Sequence, residues 1–96
     1  MTYYSMNEYQ LTGFRRSKTK GKMYDAVLKS KRNSREIRVP FGDSTMENFH
    51  DKTGLNLFPH LIHGDEKRRK AFQARHKGFL KDNYYSPSYF SYYYLW

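Results

Sequence analysis

Cysteine is absent from the chain, which excludes disulfide bonds and thiolate metal sites. Folding in a reducing compartment is therefore permitted, and no covalent cross-link stabilises the fold. Long apolar runs are also missing, since no stretch approaches the roughly 18 apolar residues that a membrane-spanning helix needs. Residues 1–14 have neither the basic start nor the continuous apolar run of a secretory signal peptide. We expect a soluble chain without membrane insertion.

Acidic residues are few, with nine Asp and Glu against eighteen Lys and Arg, so the formal charge is +9. An excess of this sign favours acidic partners such as nucleic acid or an acidic protein surface. Residues 15–32 hold eight basic residues and one acid, a local charge of +7. The sequence leaves phosphates and protein carboxylates open as the partner. The predicted contact residues are Arg15, Arg16, Lys18, Lys20, Lys22, Lys31 and Arg32.

Aliphatic residues are scarce, because hydrophobic residues make up 38% of the chain and aromatic residues alone make up 19%. Rings must therefore supply much of the buried area. A chain of 96 residues forms one small domain with a thin core. The residues predicted to be largely buried are Tyr24, Leu28, Ile37, Val39, Leu55, Leu57, Phe58, Leu61, Phe72, Tyr94 and Trp96.

The hydrophobic pattern predicts an α+β fold that contains a β-hairpin. Apolar and polar residues alternate along residues 22–30 and again along residues 36–41, as they do in half-buried strands. Residues 31–34 suit the turn between the two strands. Pro40 has no N–H for a strand ladder, so the second strand is expected at the edge of its sheet.

The segments on either side of the hairpin are less regular. Residues 1–14 are aromatic and nearly uncharged, which predicts an arm or an edge strand. We therefore divide the chain into an aromatic and basic N-terminal arm, residues 1–21, and a small domain, residues 22–96. A short helical turn is predicted over residues 46–50, and an ordered loop over residues 51–64.

The main α-helix is predicted over residues 65–77. Asp65 suits the N-cap, no Pro or Gly interrupts the segment, and Gly78 follows its end. Helical spacing places Arg68 and Arg75 on the face turned towards the body of the domain, where guanidiniums need acids, carbonyls or phosphates. Pairing within the chain is preferred over phosphate binding. The predicted polar interior comprises Arg68, Arg75, His76, Asp43 and Asp51, with Glu47 as a further acid within reach.

The C-terminal segment, residues 84–96, holds eight aromatic residues and no charged side chain. A stacking platform for single-stranded nucleic acid would interleave Lys and Arg with its rings, so this segment is better suited to closing the core and anchoring a protein partner. Tyr24, beside the basic stretch, is the alternative candidate for stacking on a base. The predicted aromatic anchors, at both ends of the chain, are Tyr3, Tyr4, Tyr89, Phe90, Tyr94 and Trp96.

Four histidines, His50, His60, His63 and His76, are scattered without a carboxylate at metal-ligand spacing. We therefore predict neither a metal site nor a cofactor. No nucleophile with a nearby base and no pair of carboxylates is apparent, so the chain is not expected to be an enzyme. A histidine-metal nuclease is the weakest alternative, because a base and a second set of ligands are lacking.

Several short motifs occur in a fixed order along residues 22–96. They are Phe41-Gly42-Asp43-Ser44, Asp51-Lys52-Thr53-Gly54-Leu55, His60-Leu61-Ile62-His63-Gly64-Asp65 with Lys67-Arg68-Arg69, Ala74-Arg75-His76, Phe90-Ser91 and Tyr94-Leu95-Trp96. Together they resemble an uncharacterised family of short proteins encoded by large DNA viruses of algae and protists and by some phages. Typical members carry polar or charged residues where Pro59 and Ile62 stand here.

The resemblance implies a viral origin. With a thin core, aromatic ends and a basic stretch, the chain is expected to be a structural virion component. We expect a minor capsid protein that cements major and other minor capsid proteins, located in the capsid shell. The alternative is a viral protein that binds nucleic acid without sequence preference.

Overall fold

Strands, helices and an irregular loop make up the computed structural model, which describes residues 4–80 and 84–96. In chain order the strands are β1 (Tyr4–Ser5), β2 (Tyr9–Arg16), β3 (Lys22–Ser30), β4 (Glu36–Asp43) and β5 (Tyr84–Tyr85). The α-helices are α1 (Glu66–His76) and α2 (Pro87–Phe90), and α2 continues as a π-helical turn over Ser91–Leu95. Two 3-10 turns lie at Pro59–Leu61 and Lys77–Phe79. The predicted α+β class is confirmed.

The main sheet is antiparallel and has the order β2-β3-β4, so β3 lies in its centre. The predicted hairpin is confirmed, because β3 and β4 pair over their whole length, with Ala26 opposite Val39 and Tyr24 opposite Phe41. Pro40 lies on β4, which is an edge strand of this sheet. An edge position is where a residue without an N–H is tolerated.

The N-terminal segment contributes the third strand of the sheet. In β2, Leu11 lies opposite Leu28 and Phe14 opposite Ala26, with a register shift between Leu11 and Gly13. Tyr9–Arg16 therefore forms an edge strand of the domain and not an arm outside it. Ahead of it, β1 pairs with β5 in a separate two-stranded ribbon.

The core is centred on β3, which is buried on both faces, whereas its alternation predicts a half-buried strand. Six consecutive residues, from Met23 to Leu28, are buried. Of the predicted core, Tyr24, Leu28 and Val39 are buried. Most of the other predicted residues are half-buried and pack against this centre, namely Ile37, Leu55, Leu57, Phe58, Leu61, Tyr94 and Trp96. The buried hydrophobic residues missing from the predicted core are Met23, Ala26, Val27, Phe41, Phe90 and Leu95.

The C-terminal helix closes the core over the sheet. The Phe90 ring is fully buried, and its centroid lies 5.4 Å from that of Phe41 and 6.1 Å from that of Phe14. These separations fall in the favourable range for aromatic pairs. At the end of β4, Gly42 has a φ of +74°, and an added Cβ would lie 3.0 Å from Leu95 Cδ1. A glycine is therefore required where the helix crosses the sheet.

Backbone bonds tie the irregular loop to the end of this helix. Phe49 and His50 both donate their N–H groups to the Leu95 carbonyl, at 3.0 and 3.1 Å, and Lys52 donates to the Tyr94 carbonyl at 2.9 Å. The last carbonyls of a helix lack partners within the helix. The loop supplies those partners, and in return it is held in one conformation, as predicted for an ordered loop.

The main helix is confirmed, but the predicted helical turn over residues 46–50 is wrong. Asp65 caps α1, because its side chain accepts the N–H groups of Lys67 and Arg68. Asn48, Phe49 and His50 instead form long-range backbone bonds. Asn48 donates its N–H to Leu61 O at 2.8 Å, and its own carbonyl accepts the His63 N–H at 2.9 Å. These bonds take the place of local helical ones.

Truncation of the buried Phe90 ring should destabilise the fold much more than truncation of an exposed ring. We expect Phe90→Ala to lower the free energy of unfolding by about 3–5 kcal/mol, because it removes a fully buried ring. Tyr93→Ala is the matched control, since Tyr93 is 48% exposed, and should cost about 1 kcal/mol or less. Urea denaturation followed by circular dichroism measures both. Equal losses in the two variants would contradict this account of the core.

Candidate functional site

The loop between β2 and β3 is fixed by a buried carboxylate. Asp25 lies on β3 and is 2% exposed. Its carboxylate accepts the Ser17 hydroxyl at 2.6 Å and the Lys18 N–H at 3.3 Å, and the Arg38 guanidinium lies 3.8 Å away. A buried charge of this kind is tolerated only with such partners. The start of the loop is thus fixed to the centre of the sheet.

The rest of this loop is held by short-range bonds. Ser17 Oγ accepts the Thr19 N–H at 3.1 Å, and Thr19 O accepts the Lys22 N–H at 3.2 Å. Gly21 has a φ of +86°, a conformation that suits glycine, and its carbonyl accepts the Ser44 N–H at 3.0 Å. The loop therefore holds its basic residues in a defined arrangement.

The cations on and beside this loop point into solvent. All five are exposed, and we call them the basic loop surface: Arg15, Arg16, Lys18, Lys20 and Lys22. Across residues 4–80 and 84–96, the ion pairs involve Arg38, Arg68 and Arg69. None of the five cations of the basic loop surface forms an ion pair among the described residues, although Asp43 lies opposite Lys22 in the strand register, where hydrogen bonds from Thr45 and then the charge of Lys22 lower its pKa. The Arg16 guanidinium lies over the Phe58 ring, 5.3 Å from its centroid, which orients one of them.

The other two predicted contact residues lie elsewhere. Lys31 and Arg32 occupy the turn between β3 and β4, at the opposite end of β3 from Lys22. A strand of nine residues separates the two ends by about 26 Å. Lys31 Nζ also donates to Met6 O at 3.2 Å. The predicted basic stretch is thus divided into two surfaces.

Tyr24 cannot act as a stacking platform, because its ring is fully buried. Its hydroxyl donates to the Asp51 carboxylate and accepts the Leu57 N–H at 3.0 Å. Burial, followed by the bond to Asp51, raises the pKa of Tyr24 to about 12. Asp51 also accepts the Thr53 N–H at 2.8 Å. This network ties the irregular loop to the central strand and leaves no ring face for a base.

The predicted burial of the arginines of α1 is wrong, but the predicted pairing of Arg68 with an acid of the chain is confirmed. None of the residues of α1 is buried, and the Arg68 side chain, 48% exposed, pairs with Glu47 at 3.0 Å. Arg75 is exposed. Asp43 is exposed as well, and hydrogen bonds from the hydroxyl and N–H of Thr45 lower its pKa. Of the predicted set, Asp51 contributes to the interior network, with Tyr24 as its partner.

Arg68 and Arg75 are exposed because α1 contacts the rest of the domain through a different face. Arg69 Nε donates to the main-chain oxygen of Trp96 at 2.9 Å, and its guanidinium lies over the Phe49 ring at 4.7 Å. The Phe72 ring stacks on Trp96, with centroids 4.2 Å apart. Arg69 is thus the arginine that contacts the body of the domain. The face that carries Arg68 and Arg75 borders an open groove of about 570 Å³, which we call the helix groove.

Most of the predicted aromatic anchors are used inside the domain. Phe90 is fully buried, so it cannot anchor a partner. Tyr4 lies opposite Tyr85 in the β1-β5 ribbon, and the described anchors besides Phe90 are half-buried. Tyr3 lies outside the described residues. Among the Phe, Tyr and Trp side chains that the structure describes, the exposed rings are instead those of Tyr84 and Tyr93, at 40% and 48%.

Two histidines have buried ring nitrogens. His63 Nδ1 accepts the Asp65 N–H at 2.9 Å, and the Nε2 atoms of His50 and His63 are buried without a hydrogen-bond partner. Burial, and then the nearby charges of Lys52 and Arg69, lower the pKa of His50. Over the part of the chain that the structure describes, no three His, Asp or Glu side chains lie close enough to share a metal ion.

Comparisons give no relative for this arrangement. No protein-family model, no curated protein and no solved structure matches the chain. Among the described residues, none of the helices is long and apolar enough to cross a bilayer.

Acid should destabilise the fold through the half-buried His50. Because the folded pKa of His50 lies below its ordinary value near 6.5, the unfolded chain binds protons first as the pH falls. Stability should therefore decrease between about pH 7 and pH 5, before most carboxylates titrate. His50→Gln should flatten this part of the profile, whereas His60→Gln, at an exposed position, should leave it unchanged. Thermal melting across this range measures the effect, and an unaltered slope in His50→Gln would refute it.

Proposed function

We propose that this chain is a non-enzymatic structural component of a virus particle, a minor capsid protein that binds larger capsid proteins. The observation that supports it most is the basic loop surface, five exposed cations that form no ion pair among the described residues, on a loop fixed by Asp25. Because the backbone of this loop is already ordered, binding to a complementary acidic surface would cost the conformational entropy of the side chains but not that of the loop. The viral context comes from the sequence resemblance.

The corrected positions of the aromatic residues change how such a protein would bind. Anchoring through rings at both ends of the chain is not favoured, since Phe90 is buried and Tyr4 pairs with Tyr85. The basic loop surface becomes the first contact with the acidic partner. Tyr84 and Tyr93 are the exposed rings that can add apolar contact area at the C-terminal side.

A viral protein that binds nucleic acid without sequence preference is the second candidate. The same five cations support it, because phosphates are as good partners for them as carboxylates. Burial of Tyr24 argues against base stacking, so binding would depend on the phosphate backbone. Removal of three loop lysines would then reduce the slope of log affinity against log salt by about 2.7.

Particle fractionation distinguishes the two functions. We expect mass spectrometry of purified virions to find the protein in the capsid shell, and Lys18→Gln/Lys20→Gln/Lys22→Gln to lose it from the shell. The matched control is Lys67→Gln/Lys70→Gln/Lys77→Gln, which removes the same charge from exposed positions on and just after α1. The control should still be incorporated. Recovery only with the genome, or absence from the particle, would remove the capsid proposal, and recovery with the genome would favour the nucleic-acid binder.

A further inference from the structure

The helix groove and the basic loop surface are lined by different residues, except that Lys22 belongs to both. It has a volume of about 570 Å³ and runs between α1, the turn after β4 and the C-terminal helix. Ala71, Phe72 and Trp96 give it apolar walls, and Met46, 60% exposed, stands at its rim. A flexible thioether at the rim of an apolar groove suits contact with varied side chains.

The charges of the groove are matched except at one end. Arg68 pairs with Glu47 at 3.0 Å, and Lys22 lies opposite Asp43 in the strand register. Arg75 lines the same groove, is exposed, and has no ion-pair partner among the described residues. The groove therefore combines an apolar middle with one unmatched positive charge near the end of α1.

Both faces of the Phe72 ring in the groove are already covered. The Phe72 ring lies 4.0 Å from His76 at an angle of 16°, and 4.2 Å from Trp96 at an angle of 5°. Two nearly parallel neighbours at such distances occupy both faces of Phe72. Trp96 also meets His63 at 5.1 Å. Phe72 therefore offers its edge and no open face for a nucleobase, which favours a ligand that inserts a side chain.

We propose that the helix groove binds an acidic peptide segment of a protein partner, with an apolar side chain between α1 and the C-terminal helix and a carboxylate at Arg75. The apolar side chain gains from burial against Phe72 and Trp96, and the carboxylate pairs with the unmatched guanidinium. This binding does not rest on the viral function proposed above. It requires only the groove and would hold if the protein were found outside the capsid.

Trp96 is the single tryptophan of the chain and lines the groove, so its fluorescence reports on occupancy directly. The probe is a short synthetic peptide of alternating Asp and Leu residues, compared with the same peptide carrying Lys for Asp and with oligothymidylate. We expect a saturable change in Trp96 emission with the acidic peptide alone. No response up to millimolar peptide, or an equal response to oligothymidylate, would overturn the proposal.

Three variants locate the binding. Ala71→Glu places a carboxylate in the groove at an exposed helical position and should abolish the response. Arg75→Glu should weaken binding by about fivefold or more, because it removes an ion pair and adds repulsion. Lys70→Glu makes the same change of charge outside the groove and should leave affinity within about twofold. Equal weakening by Lys70→Glu and Arg75→Glu would show diffuse charge attraction instead and would overturn the groove as the site.

Discussion

Burial of β3 on both faces is the constraint on which the rest of this structure depends. Two adjacent residues of the strand each bring a polar group into the interior, and each connects a different segment to the sheet. The Tyr24 hydroxyl binds Asp51 and so holds the irregular loop, while the Asp25 carboxylate binds Ser17 and so holds the basic loop. Loss of either bond would leave a buried polar group without its partner, which costs more than the bond itself contributes. The central strand therefore fixes both the core and the surface charges.

The hairpin and the main helix were predictable because their signals are local. Alternation in β3 and β4 and the capping aspartate of α1 depend on neighbours within a few residues, and both elements form where predicted. The pattern of the N-terminal segment does not distinguish an arm from an edge strand, since β2 contains a glycine, two arginines and a register shift that weaken its alternation. The prediction of a helical turn after β4 is wrong because the backbone of Asn48 bonds to residues 61 and 63. Local sequence patterns do not reveal bonds over such a separation.

The candidate site was predicted in its composition but not in its arrangement. The lysines and arginines of the basic loop surface were identified from charge alone, whereas the carboxylate that fixes the loop, Asp25, looked like an ordinary strand residue. On α1, helical spacing correctly grouped Arg68, Phe72 and Arg75 on one face, but that face borders a groove rather than a packed core. Periodicity gives the direction in which a face points and not what lies opposite it. Arg69, on the neighbouring face, makes the contacts with Trp96 and Phe49.

The weak attachment of α1 connects stability with binding. A helix of eleven residues is marginal by itself in water, and none of its residues is buried. Its position depends on the Asp65 cap, the stack of Phe72 on Trp96 and the bond from Arg69 to Trp96 O. Helices with so few buried contacts open at a lower free energy than the core. A peptide that fills the helix groove would contact α1 and the C-terminal helix together, and binding to the closed form alone stabilises that form by mass action. Occupancy of the groove should therefore protect the amides of α1 from hydrogen exchange more than those of β3, which the core already protects.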